Sequence, residues 1–241
     1  MDNKHDNPSL ARANAQAERQ GEIIQDFIDM IEAKDLYTQG HSHHVKVVAE
    51  AVYDRLPWDY QQRVDRRKLS TAALLHDVGK IMTPDFILNK PAALADDEWL
   101  IMKQHPENSV EVLKNTCFAE FSHWILYHHE RMDGRGYYGL QGEDIPLESR
   151  IIAVADTFSA LRTYRIYRPA LSISETVKIL REARGTQLDG EIVDCFLSLD
   201  LDFLEKLECN CEICRQRRAA LEAVQNLTGR AALAEEARAA Q

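Results

Sequence analysis

Apolar residues recur at three- and four-residue intervals through most of the chain, and this spacing predicts helices rather than strands. From Glu22 onward, Ile23, Ile24, Phe27, Ile28 and Ile31 line one helical face, which predicts a helix ending near Lys34. The same spacing returns at Val45, Val48, Ala49 and Val52, and again through Leu69, Ala72, Ala73 and Leu75, with Pro57 marking the break between the two segments. Ala93 to Leu113 reads as helix interrupted near Pro106. No alternating strand pattern competes, so the expected fold is all-α, a compact helical bundle. A glycine-rich loop, Asp133-Gly134-Arg135-Gly136-Tyr137-Tyr138-Gly139, separates an aromatic stretch at Trp124 to His128 from an apolar run beginning at Ile151. It neither follows a strand nor opens a phosphate-binding helix, which disfavours a nucleotide-binding fold of that kind.

Three segments are expected: a polar N-terminal extension over 1–21, a helical domain over 22–205, and a charged, cysteine-containing helical tail over 206–241. Of the 241 residues, 29 are Lys or Arg and 39 are Asp or Glu, a formal net charge of −10. That balance argues against broad electrostatic binding to DNA or to an anionic membrane. The first twenty residues hold no apolar stretch of the secretory type, and no run of about eighteen apolar residues occurs, so a cytoplasmic protein is expected. No sensory or receiver domain is expected within the residues before Glu22. Five cysteines, mostly in a late cluster, fit a reducing compartment better than a disulfide framework.

The candidate chemistry lies in nine histidines and a few carboxylates. In His76-Asp77-Val78-Gly79-Lys80, a helix would bring Lys80 one turn after His76 and Asp77, onto a shared face. Imidazole nitrogen and carboxylate oxygen are both ligands for divalent cations, and Asp77 has two oxygens with which to bridge a pair of them. Such a pair alone is weak evidence for metal, and a surface hydrogen bond is its plainer reading. Further candidates occur at His41, His105 beside Pro106, His128 and His129. Asp156 stands inside Ile151-Ile152-Ala153-Val154-Ala155-Asp156-Thr157-Phe158, where burial would require a cation or hydrogen-bond donors. A helix-cap or buried hydrogen bond is the alternative there. For His128 and His129 the alternative is one core and one solvent-facing ring.

These residues carry a resemblance. Lys34-Asp35-Leu36-Tyr37-Thr38-Gln39-Gly40-His41-Ser42, His76-Asp77-Val78-Gly79-Lys80, Pro84-Asp85-Phe86-Ile87-Leu88, His105-Pro106 and His128-His129-Glu130-Arg131-Met132-Asp133-Gly134-Arg135-Gly136-Tyr137 occur in the order of the HD-GYP family. The likeness continues through Ile145-Pro146-Leu147, Arg150 to Asp156 and Arg165-Ile166-Tyr167-Arg168, and spans approximately 22–205. It implies a bundle of the HD-domain type and a phosphodiesterase that hydrolyses cyclic di-GMP to pGpG, GMP or both through a hydroxide activated by two divalent ions. Iron or manganese is favoured by that resemblance, with zinc or nickel as alternatives. Transferred by motif position, His41, His76, Asp77 and Asp156 would hold one ion, and Asp77, His105, His128 and His129 the other. Lys80 would contact the scissile phosphate, and Arg165 and Arg168 the ligand's phosphate or guanine groups; solvated helix charges are the plainer reading of the two arginines.

The chain departs from the family pattern in several places. Tyr138 stands where the motif has proline, Ser159 where aspartate is usual three residues after Asp156, Ser109 where glycine is common and Gly190 where proline is common. Tyr37 replaces a glutamate found in relatives with a third metal, which favours two ions. The aspartate missing at 159 puts turnover in question, so a cyclic di-GMP-binding or interaction module is an alternative to an enzyme. A phosphohydrolase for another nucleotide is a third reading. Beyond the resembling region, Cys209, Cys211 and Cys214 lie within six residues, with Cys195 a candidate fourth sulfur. They could hold zinc or an iron–sulfur cluster, or form an exposed reduced group. A homodimer or a regulatory protein partner through Phe203, Leu204, Leu207 and the following tail is a further expectation.

Overall fold

A computed structural model of the chain describes residues 8–35, 40–163 and 170–206, and among these the regular elements are helices, with no strand. The helices are α1 (Pro8–Lys34), α2 (His41–Tyr53), α3 (Trp58–Gln61), α4 (Arg66–Leu75), α5 (Asp85–Leu88) and α6 (Asp96–Met102), then α7 (His105–Leu113), α8 (Ser122–Leu126), α9 (Leu147–Arg162), α10 (Ile173–Ala183), α11 (Gly190–Leu197) and α12 (Leu201–Lys206). The expected all-α architecture is therefore what forms. Tyr37, Arg165, Arg168, Leu207, Cys209, Cys211 and Cys214 lie outside the described residues.

Local chemistry sets most helix boundaries. Asp65 caps α4 by accepting from the Arg67 and Lys68 amides, and Asp189 caps α11 by accepting from Glu191 and Ile192. Ser172 and Glu175 form a reciprocal capping box on α10. Pro106 sits in the first turn of α7, where its missing N–H is no loss, so the expected interruption is a new helix start. The helix expected from Glu22 begins earlier, at Pro8. Its early turns are rich in Ala, Gln, Glu and Arg, good helix formers, and Asn14 to Arg19 are exposed, whereas Ile28 and Ile31 are in the core.

The core lies where α2 and α9 pack together, with α4 against α2. Val45, Val48, Ala49 and Val52 of α2 meet Ile151, Ile152, Val154, Ala155 and Phe158 of α9, and Leu69, Ala72, Ala73 and Leu75 of α4 complete the cluster. Burying a side chain of this size contributes about 1.5–3 kcal/mol, so this layer is a rigid base for groups projecting from its ends. A buried ion pair, Arg150 Nη1 to Asp189 Oδ2 at 2.6 Å, ties α9 to the start of α11.

Candidate metal centre

Four of the candidate residues follow from helix ends. His41 opens α2, His105 opens α7, and His128 and His129 follow the C-terminus of α8. Asp156 lies in the middle of α9. The remaining pair requires a correction. His76, Asp77 and Lys80 do not share one α-helix: α4 ends at Leu75, and the chain tightens into a 3₁₀ turn over Val78–Met82. Close approach to α7 is the physical reason. A Cβ at Gly79 would lie 2.0 Å from the His105 carbonyl oxygen and 2.3 Å from the Ser109 nitrogen, so only glycine lets the two backbones meet. Residues three apart eclipse in a 3₁₀ turn, and Lys80 Nζ accordingly donates to Asp77 Oδ2 at 2.7 Å. Ser109 reinforces the approach, with Oγ accepting from the Gly79 amide at 2.8 Å and donating to the His105 carbonyl at 2.9 Å.

The seven donors converge. Asp77, His105, His128 and His129 form one group whose ligand atoms all lie within 4.8 Å of one another, and His41, His76 and Asp77 form a second, with Asp77 common to both. Asp156 joins the second group, its Oδ1 3.1 Å from His41 Nε2 and 3.9 Å from His76 Nε2. It also shares a group with His76 and His128, so the two clusters are contiguous. Asp156 is not sealed in the core as its apolar neighbours suggested. Its side chain is 18% exposed, because it opens toward the other donors while Val154, Ala155 and Phe158 face inward.

The histidines are oriented as metal ligands would be. The Nδ1 atoms of His76, His105 and His128 face the carbonyls of Ala73, Met102 and Ile125 at 2.8, 2.9 and 2.5 Å. A carbonyl only accepts, so each ring carries its proton on Nδ1 and turns a bare Nε2 inward. All three Nε2 atoms are buried with no hydrogen-bond partner. The 3.3 Å separations of His76 and His105 from Asp77 match spans across a coordination sphere, since ligands about 2.1 Å from a cation stand roughly 3.0–3.4 Å apart at right or tetrahedral angles; His128 stands wider, at 4.0 Å. Three orphaned imidazole nitrogens around a carboxylate are what a divalent cation would satisfy.

Electrostatics agree with that donor set. Burial, and then the neighbouring rings, push His128 well below the ordinary histidine value, and burial brings His105 down to about 3. Burial also lowers His129. These rings are neutral near pH 7 and able to ligate. Burial opposes ionisation of Asp77, but Lys80, His76 and His105 outweigh it and hold the carboxyl well below its usual range. Asp156 is likewise held low against burial, chiefly by His41. Burial opposes protonation of His76 too, yet Asp77 and Asp156 outweigh it and raise its value.

Further residues complete the site. Tyr137 tilts over His129 with ring centroids 4.8 Å apart. The buried Asp35 carboxylate stands 4.0 Å from Lys80 Nζ. Ser159, whose departure from aspartate suggested a missing partner, has Oγ 2.8 Å from His41 Nδ1 and 2.8 Å from His44 Nδ1. His44 carried a signal in the sequence, being three residues from His41 and so on the same helical face. Tyr138 also has a structural role: its amide donates to Glu130 Oε1 at 2.6 Å, a bond that proline cannot make. Glu130 packs so tightly on the loop that a Cβ at Gly136 would fall 2.6 Å from its Cα.

Comparison with known proteins places this geometry. The model of the HD domain matches residues 25–192. The cyclic di-GMP phosphodiesterase response regulator RpfG of Xanthomonas campestris is 39% identical over 192 residues, covering 78% of this chain and 50% of the relative. The 3'3'-cGAMP-specific phosphodiesterase 3 of Vibrio cholerae is 36% identical over 179 residues, covering 73% of this chain and 38% of the relative. The chain therefore spans half or less of the length of these curated relatives. Among solved structures, a cyclic GMP-AMP specific phosphodiesterase of V. cholerae aligns with a TM-score of 0.56 at 18% identity, covering 80% of this chain and 52% of that one, which shows a shared fold. With a matching family model over most of its described helices and the histidine and aspartate donors gathered at one place, the chain belongs to the HD-domain family.

Proposed function

We propose that this chain is a metal-dependent phosphodiesterase that hydrolyses cyclic di-GMP to pGpG, GMP or both. The observation that carries the reading is the convergence of seven donors, three of them orphaned buried imidazole nitrogens, beside the Lys80 ammonium. In this assignment His41, His76, Asp77 and Asp156 hold one divalent ion and Asp77, His105, His128 and His129 hold the other, with iron or manganese favoured over zinc or nickel. When bound, such ions supply Lewis acidity toward phosphoryl oxygen and lower the pKa of water. Asp77 supplies an oxygen to each group. Lys80, fixed by Asp77 and backed by Asp35, directs positive charge at the non-bridging phosphate oxygens as negative charge builds there. Tyr137 packs on His129 and limits that ring's freedom to turn away. Hydrolysis forms one phosphorus–oxygen bond to water and breaks the bond to the ribose oxygen, which departs with a proton.

Arg165 and Arg168 are assigned to the ligand's phosphate or guanine groups, and the tail with Cys209, Cys211 and Cys214 to a second metal or cluster site and to a protein partner. The overall charge of −10 does not oppose an anionic substrate, because cations and Lys80 reverse the local field within one cleft. Among the described residues no helix is long and apolar enough to cross a membrane, and we assign the chain to the cytoplasm. A second reading, a phosphohydrolase for 3'3'-cGAMP, is favoured by relatives named as specific for that nucleotide.

Turnover by the manganese- or iron-loaded protein, with cyclic di-GMP and 3'3'-cGAMP in parallel and products separated by chromatography, tests both readings. Linear pGpG or GMP from the first substrate is expected, and its loss in His76→Ala. Faster cleavage of the mixed dinucleotide would select the second reading, and binding without cleavage of either would reduce the chain to a binding module.

A further inference from the structure

Three candidate ligands have their tautomer fixed by a backbone carbonyl, but His41 is different. Its Nδ1 meets the hydroxyl of Ser159, a group that can donate as well as accept. We propose that His44, which has no place in the donor clusters, is a positioning residue that acts through the Ser159 hydroxyl to decide which nitrogen of His41 carries the proton. This inference rests on the metal-site reading of the preceding section.

The geometry is that of two paired helix faces. His41 and His44 are three residues apart on α2, Asp156 and Ser159 three apart on α9, and the two helices pack side by side. Ser159 is fully buried and His44 nearly so. Oγ of Ser159 lies 2.8 Å from each Nδ1, while its carbonyl accepts from Thr163. One hydroxyl proton lies between two rings, so when it points to one ring the other must donate, and when it points to neither both rings can donate to the two lone pairs of Oγ.

Two directions place that proton between the rings. In the first, His41 Nδ1–H donates to Oγ and the hydroxyl donates to His44 Nδ1, which leaves the His44 proton on Nε2 and the His41 Nε2 lone pair bare toward Asp156, 3.1 Å away. In the second, His44 Nδ1–H donates to Oγ, the hydroxyl donates to His41 Nδ1, and His41 carries its proton on Nε2, where it blocks ligation. The proton count is equal in both, so the choice depends on whether His44 accepts. An aspartate at position 159 would only accept, and would hold His41 in the first direction by itself. Serine makes the direction depend on His44.

Histidine-selective ¹⁵N labelling with long-range ¹H–¹⁵N correlation reads the tautomers, and competition with a chromogenic chelator reads zinc affinity. Zinc serves as a diamagnetic probe. In the zinc-loaded protein His41 is expected as the Nδ1–H and His44 as the Nε2–H tautomer. His44→Phe, which keeps ring volume against Phe158, should weaken one bound zinc by about tenfold or more. His44→Asn, whose carbonyl oxygen can take the Nδ1 position, should restore most of that loss, and His44→Phe combined with Ser159→Asp should bind as the parent does. Unchanged zinc affinity in a folded His44→Phe, or an Nδ1–H tautomer of His44 in the loaded wild type, would overturn the proposal; if His44→Phe does not fold, the wild-type tautomer and His44→Asn decide it. Absence of any zinc uptake by the wild type would instead overturn the metal-site reading, and this inference with it.

Discussion

At the scale of single residues, Asp77 is the group on which both donor clusters depend. It is buried, it faces His76, His105 and Lys80, and it belongs to two of the three ligand groupings. Asp77→Asn removes the charge without changing shape, so metal content should fall below half that of the wild type, read by elemental mass spectrometry on folded protein. Lys80→Met should behave differently, retaining metal while kcat falls on the order of 10²-fold, as for loss of one charge-stabilising donor. The depressed histidines also predict a pH dependence for the metal-stripped protein. His105, at about 3 in the fold and near 6.5 unfolded, binds fewer protons when folded, so stability is complete above about 6.5 and is lost as pH falls toward 3. At pH 5 His105 alone accounts for about 2 kcal/mol. His128 and His129 act in the same direction, so thermal melts should shift downward between pH 7 and 5, while His76, whose value is raised, opposes them with a contribution that is lost as pH rises above about 6.5. These ligands were legible in the sequence as residue types. The tautomers were not, because they depend on carbonyls of Ala73, Met102 and Ile125 that only the folded backbone brings to each ring.

At the scale of elements, the 3₁₀ turn after α4 couples the donors to the packing. Helical periodicity runs smoothly into His76, and nothing in Val78-Gly79-Lys80 announces that the helix tightens; the cause is α7, which sits within contact of Gly79. Gly79→Ala should be strongly destabilising, about 3 kcal/mol or more in denaturant unfolding, since the atoms a methyl would strike are backbone and cannot move aside. The same reasoning explains why Ser109 is suitable here: its hydroxyl joins the two segments. The helix starts at α4, α10 and α11 were legible, because Asp65, Ser172 and Asp189 are capping residues in their own right. The early start of α1 was not, because the sequence before Glu22 carries no recurring apolar face to mark it.

At the scale of the whole molecule, the site stands on the α2–α9 layer, and the fold keeps that layer aligned through contacts far from the donors. The Arg150–Asp189 pair is one of them, with both side chains more than nine-tenths buried. Removing one partner leaves the other charge buried, so Asp189→Ala should cost about 3–5 kcal/mol in unfolding free energy, whereas exposed Lys68→Ala, which breaks only a surface pair with Glu120, should fall within about 1 kcal/mol. Divalent ions bound only by the folded protein should raise its melting temperature, and a chelator should reverse the gain. The most direct test of the central claim is the number of divalent ions per chain in anaerobically purified, metal-loaded protein. Two ions in the wild type and fewer than one in Asp77→Asn are predicted. A folded wild type with no bound ion, or an Asp77→Asn variant that retains two, would contradict the account.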